Sequence, residues 1–391
     1  MKKVSILGST GSIGESTLAV IRENLEQYQV HSLVANSNLD AMYRQCLEFV
    51  PEYVLMRDTA AAQTLKALLL EARVETQVLC GDADLEALMG SSEIDYVMSA
   101  IVGAAGLKPT MAAVESGKRI LLANKESLVI AGELFMSAVQ QYGCELLPID
   151  SEHNAIYQCL PISAGNPVEP IRRILLTASG GPFRRFTADE LEAVTPAQAL
   201  KHPNWDMGPK ITIDSASLMN KGLELIEACW LFNVSPDVVD VHIHPQSIIH
   251  SMVEYVDGSI LAQMGSPDMR TPIAYGLGWP DRIESGVPSL DLFAMADLTF
   301  EKPDMERFPC LALAAQVFKR GGTAPTLLNA ANEVAVGLFL ENRIRFTEIP
   351  SVIDYVLDRI MVEPVESIEH IMEQDRNARI VASQYSTRRA V

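Results

Sequence analysis

Asp150 and Glu152 flank Ser151 at the end of an apolar run, and a third carboxylate, Glu224, follows the polar pair Asn220-Lys221. Hard oxygen donors grouped in this way suit a divalent cation. If the triplet is extended, side chains two apart project from the same side and can share one ion. If it opens a helix over Asn154 to Leu160, Asp150 or Ser151 is a cap and the acids complement the helix dipole. The triplet by itself admits both readings.

A second set of residues suits an anion. The loop Thr177 to Pro182 contains Ser179-Gly180-Gly181 and can offer hydroxyl and backbone N–H groups, although many such loops are only turns. From Asp214 to Glu224 the chain sets Ser215, Asn220 and Lys221 ahead of an apolar-periodic helix running from Leu223 to Trp230. On a helix Asn220 and Glu224 lie four apart and share a face. Ser179, Ser215, Asn220 and Lys221 form a candidate phosphate pocket with Glu224 directed towards a metal; the plainer alternative makes Ser215 and Asn220 capping residues. His202-Pro203-Asn204-Trp205-Asp206-Met207-Gly208 reads either as a lid that excludes water or as a loop pinned by its indole. His242 and His244 alternate with apolar residues and read as the polar face of a half-buried strand rather than as zinc ligands.

A third set suits a dinucleotide. Gly8-x-x-Gly11-x-x-Gly14 departs from the usual G-x-G-x-x-G, but a strand enters it and a helix leaves it. Ser9, Thr10 and Ser12 add hydroxyls where helix N-terminal N–H groups would meet a pyrophosphate. The alternative is a tight turn that binds nothing. After the second strand comes Ala35-Asn36-Ser37-Asn38, without the acidic residue that would hold a ribose 2′-hydroxyl. Its absence favours NADP, although none of those four positions is basic. Asn124-Lys125-Glu126 follows a further strand, where open α/β sheets place a ligand's reactive end. Lys125 then contacts substrate or nicotinamide ribose, or is a surface lysine paired with Glu126.

These residues need elements to hold them. Apolar runs at Val4 to Leu7, Val30 to Ala35, Tyr53 to Met56, Tyr96 to Ala100 and Ile120 to Ala123 read as strands, with helices over Ser16 to Asn24, Leu39 to Phe49 and Ala60 to Leu70, and another ending at Ser116-Gly117. The alternation predicts a parallel, Rossmann-like doubly wound domain over residues 1–150. From Ile171 the texture changes to strands at Ile174 to Thr177, Ile211 to Asp214, Val239 to His244, Ser251 to Tyr255 and Ser259 to Gln263. These predict a central α+β domain, 151–279, with a mostly antiparallel sheet and no regular helices. The proline-bearing stretch 280–307 reads as a linker. Amphipathic stretches near 310–319, 326–341, 348–361 and 366–383 predict a helical bundle over 308–391.

Composition narrows the class of partner. The chain has 391 residues, with Lys plus Arg 31 against Asp plus Glu 50, a formal net charge of -19. That balance opposes nucleic acid and anionic membrane, while leaving room for a small phosphorylated substrate met by local lysines such as Lys125, Lys210 and Lys221. Six cysteines without a C-x-x-C pair suit reduced thiols in the cytoplasm. Met1-Lys2-Lys3 imitates a signal start, but Gly8, Gly11 and Gly14 break the apolar run. No apolar run approaches the ~18 residues of a membrane span.

With these segments assembled, the chain resembles the 1-deoxy-D-xylulose 5-phosphate reductoisomerase family over essentially its whole length. The resemblance is carried by Gly8–Gly14, Leu122–Leu128, Asp150–Ile156, Ser179–Phe183, His202–Trp205, Met219–Glu224 and His244–Ser247. It implies an NADPH- and metal-dependent rearrangement and reduction of a ketose phosphate in isoprenoid precursor biosynthesis, by a homodimer with a mobile lid. By similarity Thr10, Gly11, Ser12, Ile13, Asn36, Ser37, Asn38, Asn124, Glu126 and Gly208 would contact NADPH. Asp150, Glu152 and Glu224 would bind Mg2+, Mn2+ or Co2+. Substrate would meet Lys125, Ser151, Glu152, Ser179, His202, Trp205, Ser215, Asn220, Lys221 and Glu224, with Lys125 and the three carboxylates catalytic. Many members carry a basic residue where this chain has Ser37, and Arg44 is the substitute the sequence suggests.

Overall fold

The computed structural model describes residues 1–160, 171–203, 205, 207–295 and 297–385. In chain order β1 (Lys2–Leu7) leads into α1 (Ser12–Glu23), then β2 (Tyr28–Ala35), α2 (Leu39–Phe49), β3 (Tyr53–Met56), α3 (Thr59–Ala72), β4 (Gln77–Cys80) and α4 (Asp82–Gly90). Next come β5 (Tyr96–Ser99), α5 (Leu107–Glu115), β6 (Arg119–Leu122), α6 (Lys125–Tyr142), β7 (Glu145–Pro148) and α7 (Ser151–Cys159). Beyond residue 170 lie β8 (Ile171–Ala178), α8 (Ala188–Leu191), α9 (Pro196–Ala199), α10 (Pro209–Ala216), α11 (Met219–Phe232), β9 (Val239–Ile243), β10 (Ile249–Tyr255), β11 (Ile260–Met264) and α12 (Arg270–Gly278). The last elements are α13 (Cys310–Arg320), α14 (Ala324–Leu340), α15 (Ile349–Leu357) and α16 (Ile368–Ser383).

The chain divides into two compact units. Unit 1 comprises Met1–Ser127, Phe135–Asn154 and Asp268–Ser289; unit 2 comprises Leu128–Leu134, Ala155–Pro267 and Leu290–Val391. Asp268–Ser289 therefore belongs with the N-terminal sheet, where the linear division of the sequence put it in the central domain and linker.

Unit 1 is built on a seven-stranded sheet in the order β4-β3-β2-β1-β5-β6-β7, with every neighbouring pair parallel. Its central strand β1 is covered on both faces, and Val4, Ile6 and Leu7 are fully buried. Burying such side chains stabilises by about 1.5–3 kcal/mol each before entropy is counted. Side-chain caps start the helices: Asn38 Oδ1 accepts from Ala41 N–H, and Asp58 Oδ1 from Ala61 N–H. α1 begins at Ser12, four residues earlier than expected, because Gly11 turns the chain directly into the helix. The β4–α4 unit had no counterpart in the sequence reading; Val78-Leu79-Cys80 is too short a run to stand out beside Thr76 and Gly81.

Unit 2 holds a four-stranded sheet, β11-β10-β8-β9, in which β10 runs antiparallel to both β8 and β11 while β8 and β9 are parallel. The helix expected from Leu223 to Trp230 lies within α11, which packs on β9 and α13, and α10 precedes it between β8 and β9 in sequence. The segment Ile211 to Asp214, expected as a strand, is part of α10. Its β-branched residues suggest a strand, but Gly208 and Pro209 begin a helix whose Thr212, Ile213, Asp214 and Ala216 are buried, and that packing outweighs propensity. In the C-terminal part α14 packs against α15 and α16. Among the described residues no helix is long and apolar enough to cross a membrane.

Candidate active site

In unit 1 the first glycine turn sits at the carboxyl end of β1. Gly8 has φ +87, and a Cβ there would lie 2.6 Å from Ala100 O, just past β5; one on Gly14 would lie 2.4 Å from Gly8 O. Glycine is thus required at both positions, and the turn can pass closely under a ligand. No side chain caps α1 at Gly11. The N–H groups of that first turn and the helix dipole make a setting that fits the pyrophosphate of a dinucleotide. Ser9 is fully buried, whereas Gly11 and Ser12 are exposed and Thr10 and Ile13 half-buried. Asn36, Ser37 and Asn38, after β2, are exposed as well.

Asn124 has a structural task. Its Nδ2 donates to Ile101 O at 2.6 Å, Gly103 O at 3.1 Å and Glu126 Oε2 at 3.1 Å, while its Oδ1 accepts from Ser127 N–H at 3.1 Å, capping α6. Next to it Lys125 is buried and ion-paired with Asp150. Burial overturns the reading of Lys125 as a surface lysine. Parallel β6 and β7 end side by side, Leu122 opposite Pro148, and this brings the residues that follow each strand together.

The Asp150-Ser151-Glu152 triplet opens a helix and is not extended. Asn154 N–H donates to Asp150 O at 2.8 Å, α7 begins at Ser151, and Ser151 Oγ donates to Glu152 Oε2 at 2.6 Å. The backbone is helical rather than extended, yet a carboxylate oxygen of Asp150 and one of Glu152 still lie within 4.8 Å of each other, so the two acids can share one ion as their spacing predicts. The acids occupy the first turn, where their charge suits the helix dipole.

In unit 2, Gly181 joins two of the expected anion-binding residues. It has φ +67, and a Cβ there would stand 2.8 Å from Ser215 O, so the Ser179 loop lies against the end of α10. Ser179 Oγ lies 3.0 Å from His202 Nε2 and accepts from Gly181 N–H at 3.2 Å. His202 Nδ1 in turn accepts from Trp205 N–H at 3.0 Å, so a neutral ring carries its hydrogen on Nε2 and donates it to Ser179. His202, Trp205, Met207 and Thr212 with Leu200, Lys201 and Pro203 line a cleft of about 470 Å³. Thr212 and Lys201 carry no local signal for this role, and Thr212 faces the cleft only because α10 is a helix. Asn204 and Asp206 of the same loop lie outside the described residues. Gly208 precedes α10 with open space around its Cα.

Asn220, Lys221 and Glu224 stand on the first turns of α11. Glu224 accepts from Asn220 Nδ2, four residues back as helical spacing predicts, and from the ammonium of Lys221, with both Lys221 and Glu224 buried. Lys210 pairs with buried Asp214 at 2.9 Å. His244 serves the fold: its Nδ1 donates to Thr299 O at 2.9 Å and its Nε2 accepts from Ile248 and Ile249 N–H at 3.3 and 3.2 Å. Burial lowers the pKa of His242 below the usual histidine value.

The donor chemistry fits a hard divalent cation. Asp150, Glu152 and Glu224 offer carboxylate oxygens alone, and within each unit a lysine ammonium sets positive charge against them, Lys125 on Asp150 and Lys221 on Glu224.

Three family models match the chain: 1-deoxy-D-xylulose 5-phosphate reductoisomerase over residues 4–132, its C-terminal domain over 146–232, and the DXP reductoisomerase C-terminal domain over 264–381. A 1-deoxy-D-xylulose 5-phosphate reductoisomerase of Nitrosococcus oceani is 58% identical over 384 residues, covering 97% of this chain and 98% of the relative. That of Pseudomonas aeruginosa strain UCBPP-PA14 is 56% identical over 391 residues, covering 100% and 99%. Among solved structures, a DOX-P reductoisomerase in complex with NADPH, fosmidomycin and magnesium superposes with TM-score 0.95 at 44% identity, covering 99% of this chain and 98% of that one. The Zymomonas mobilis enzyme in complex with NADPH gives TM-score 0.92 at 45% identity, with 98% of each chain covered.

Proposed function

The chain belongs to the 1-deoxy-D-xylulose 5-phosphate reductoisomerase family, and from that premise we propose how its residues divide the work. The enzyme is an NADPH- and divalent-metal-dependent oxidoreductase that rearranges and reduces 1-deoxy-D-xylulose 5-phosphate to 2-C-methyl-D-erythritol 4-phosphate, in isoprenoid precursor biosynthesis.

Asp150, Glu152 and Glu224 are assigned as the ligands of Mg2+, Mn2+ or Co2+. When bound, the cation polarises a carbonyl and stabilises an alkoxide, and NADPH supplies hydride. Lys125 offsets the charge of Asp150 and reaches substrate oxygen, while Ser151, whose hydroxyl hydrogen is given to Glu152, accepts a hydrogen bond from a substrate hydroxyl. Ser179, Ser215, Asn220 and Lys221 hold the substrate phosphate, which supplies binding energy remote from the reacting carbons. His202 orients the Ser179 hydroxyl through its Nε2 hydrogen. Trp205 closes over the substrate and excludes water. Thr10 to Ile13, Asn36 to Asn38, Asn124, Glu126 and Gly208 are assigned to NADPH; for Asn124, whose side chain is engaged in capping, the contact is through the backbone.

In domain terms, unit 1 takes the cofactor and contributes Lys125, Asp150, Ser151 and Glu152, the stretch Ala155–Pro267 contributes the phosphate-binding residues and Glu224, and 308–391 form a supporting helical bundle. The working unit is assigned as a cytoplasmic homodimer. Its support is β11, an edge strand whose Ile260 and Leu261 are each 51% exposed. An apolar, unpaired edge is a template for a second copy related by a two-fold axis.

The observation that carries the metal assignment is the donor set: three carboxylates, of which Asp150 and Glu152 bring oxygens within 4.8 Å of each other at the start of α7, an all-oxygen arrangement that suits a hard divalent cation. A plain NADP-dependent dehydrogenase has no need of them, and neither does a dinucleotide-sensing binding protein. The test follows NADPH oxidation with 1-deoxy-D-xylulose 5-phosphate, with and without EDTA, and with NADH in place of NADPH. Loss of turnover in EDTA and recovery on adding Mg2+ is expected; turnover indifferent to the chelator would refute the metal assignment.

A further inference from the structure

The loop after β2 is where a dinucleotide fold meets the adenosine ribose, and here it carries Asn36, Ser37 and Asn38 with no cation. NADPH differs from NADH by a doubly charged 2′-phosphate at that place, and selecting it calls for a nearby positive side chain. β3 supplies one. It pairs parallel to β2, Ala35 opposite Met56, and the ladder continues past both strands: Arg57 N–H donates to Ala35 O at 3.0 Å and Asp58 N–H to Asn36 O at 3.0 Å. Arg57 is thus the neighbour of Asn36 across the ladder, about 5 Å away by ordinary strand spacing, and an extended arginine side chain covers more than that distance.

The side chain of Arg57 is also available. It is 35% exposed and engages Asp82, itself 69% exposed, through the single oxygen Oδ1, with Nη2 at 2.9 Å and Nε at 3.1 Å. An exposed pair of this kind is weak, and a phosphate offers the guanidinium fork a stronger, bidentate partner. Arg44 is less well placed. It lies on the exposed side of α2, six residues into that helix, so its Cα is about 7 Å below the helix start. The α2 N-terminus is already capped by Asn38.

We propose that Arg57 is the residue that selects NADPH: its guanidinium gives up Asp82 and pairs with the cofactor's 2′-phosphate. The proposal rests on the NADPH-dependent reading given above and adds a specificity residue to it.

The experiment is equilibrium titration of the purified full-length protein with NADPH and with NADH, followed by nucleotide fluorescence, for the unaltered chain, Arg57→Ala, Arg57→Lys and Arg44→Ala. Losing a charge-assisted pair to phosphate should weaken NADPH binding by roughly 10- to 100-fold in Arg57→Ala. NADH affinity should stay within about two-fold, which also reports an intact fold. Arg57→Lys should recover part of the loss, and Arg44→Ala should discriminate as the unaltered chain does. Undiminished preference for NADPH in Arg57→Ala would overturn the proposal alone, as would an equal loss for both nucleotides or a selective loss in Arg44→Ala. An unaltered chain that binds NADH as tightly as NADPH would overturn the NADPH reading and this proposal together.

Discussion

Lys125 and Asp150, twenty-five positions apart in the chain, form an ion pair in unit 1 with side chains only 7% and 13% exposed. Neither residue is placed by its own helix: each follows the end of a strand, and the strands are parallel neighbours. Desolvated pairs of this kind are sensitive to losing one partner, because the other is left as a buried charge at a cost of about 3–5 kcal/mol.

Asp150→Asn and Glu224→Gln should therefore act alike on chemistry. Each removes an assigned metal ligand and leaves a lysine, Lys125 or Lys221, without its carboxylate. Turnover should fall by at least about 100-fold in both, a loss of roughly 3 kcal/mol of transition-state stabilisation. NADPH binding should persist. Steady-state turnover and nucleotide titration read the two properties separately, and an active Glu224→Gln enzyme would remove Glu224 from the metal site.

Gly181→Ala should destabilise the chain by about 1–3 kcal/mol, since φ +67 is unfavourable for alanine and its Cβ would meet Ser215 O at 2.8 Å. Thermal unfolding measures the loss. Because Gly181 N–H also bonds Ser179 Oγ, the KM for substrate should rise more than that for NADPH.

Leu261→Lys places a charge on the exposed edge strand opposite Val253 of β10. If β11 joins two copies, sedimentation should show the altered chain shifting from dimer to monomer. Continued dimerisation with unchanged affinity would move the interface elsewhere.

Thiol reactivity gives an independent check on burial. Burial pushes the thiols of Cys46, Cys144, Cys229 and Cys310 up to about 12 and that of Cys159 up to about 11. At pH 8 these are almost entirely protonated and shielded, whereas Cys80 is only partly covered. A disulfide-exchange reagent should modify one thiol quickly in the native protein and all six after unfolding; several fast thiols would contradict the packing.

Local periodicity made much of the fold legible. The helix Leu39–Phe49 and the strand Tyr53–Met56 match the expected limits, because their apolar spacing and flanking turn residues act within a few positions. Asn220 and Glu224 meet as helical spacing predicts, for the same reason. α10 misled because Ile211 and Ile213 favour strands locally, and only burial against the rest of unit 2 makes that segment helical. The Asp150 triplet was ambiguous because two acids separated by one residue suit a strand face and a helix start equally well.

The sequence by itself determined the parallel N-terminal architecture, the glycine turn that fits a dinucleotide, the identity of the acidic residues and the family resemblance, all of which rest on residue type and short spacing. Only the tertiary structure decided that Lys125 faces Asp150, that Gly181 brings Ser179 beside Ser215, and that Arg57 adjoins Asn36. Those neighbours are set by strand order and close backbone approach between distant segments, and no periodicity within one segment encodes them.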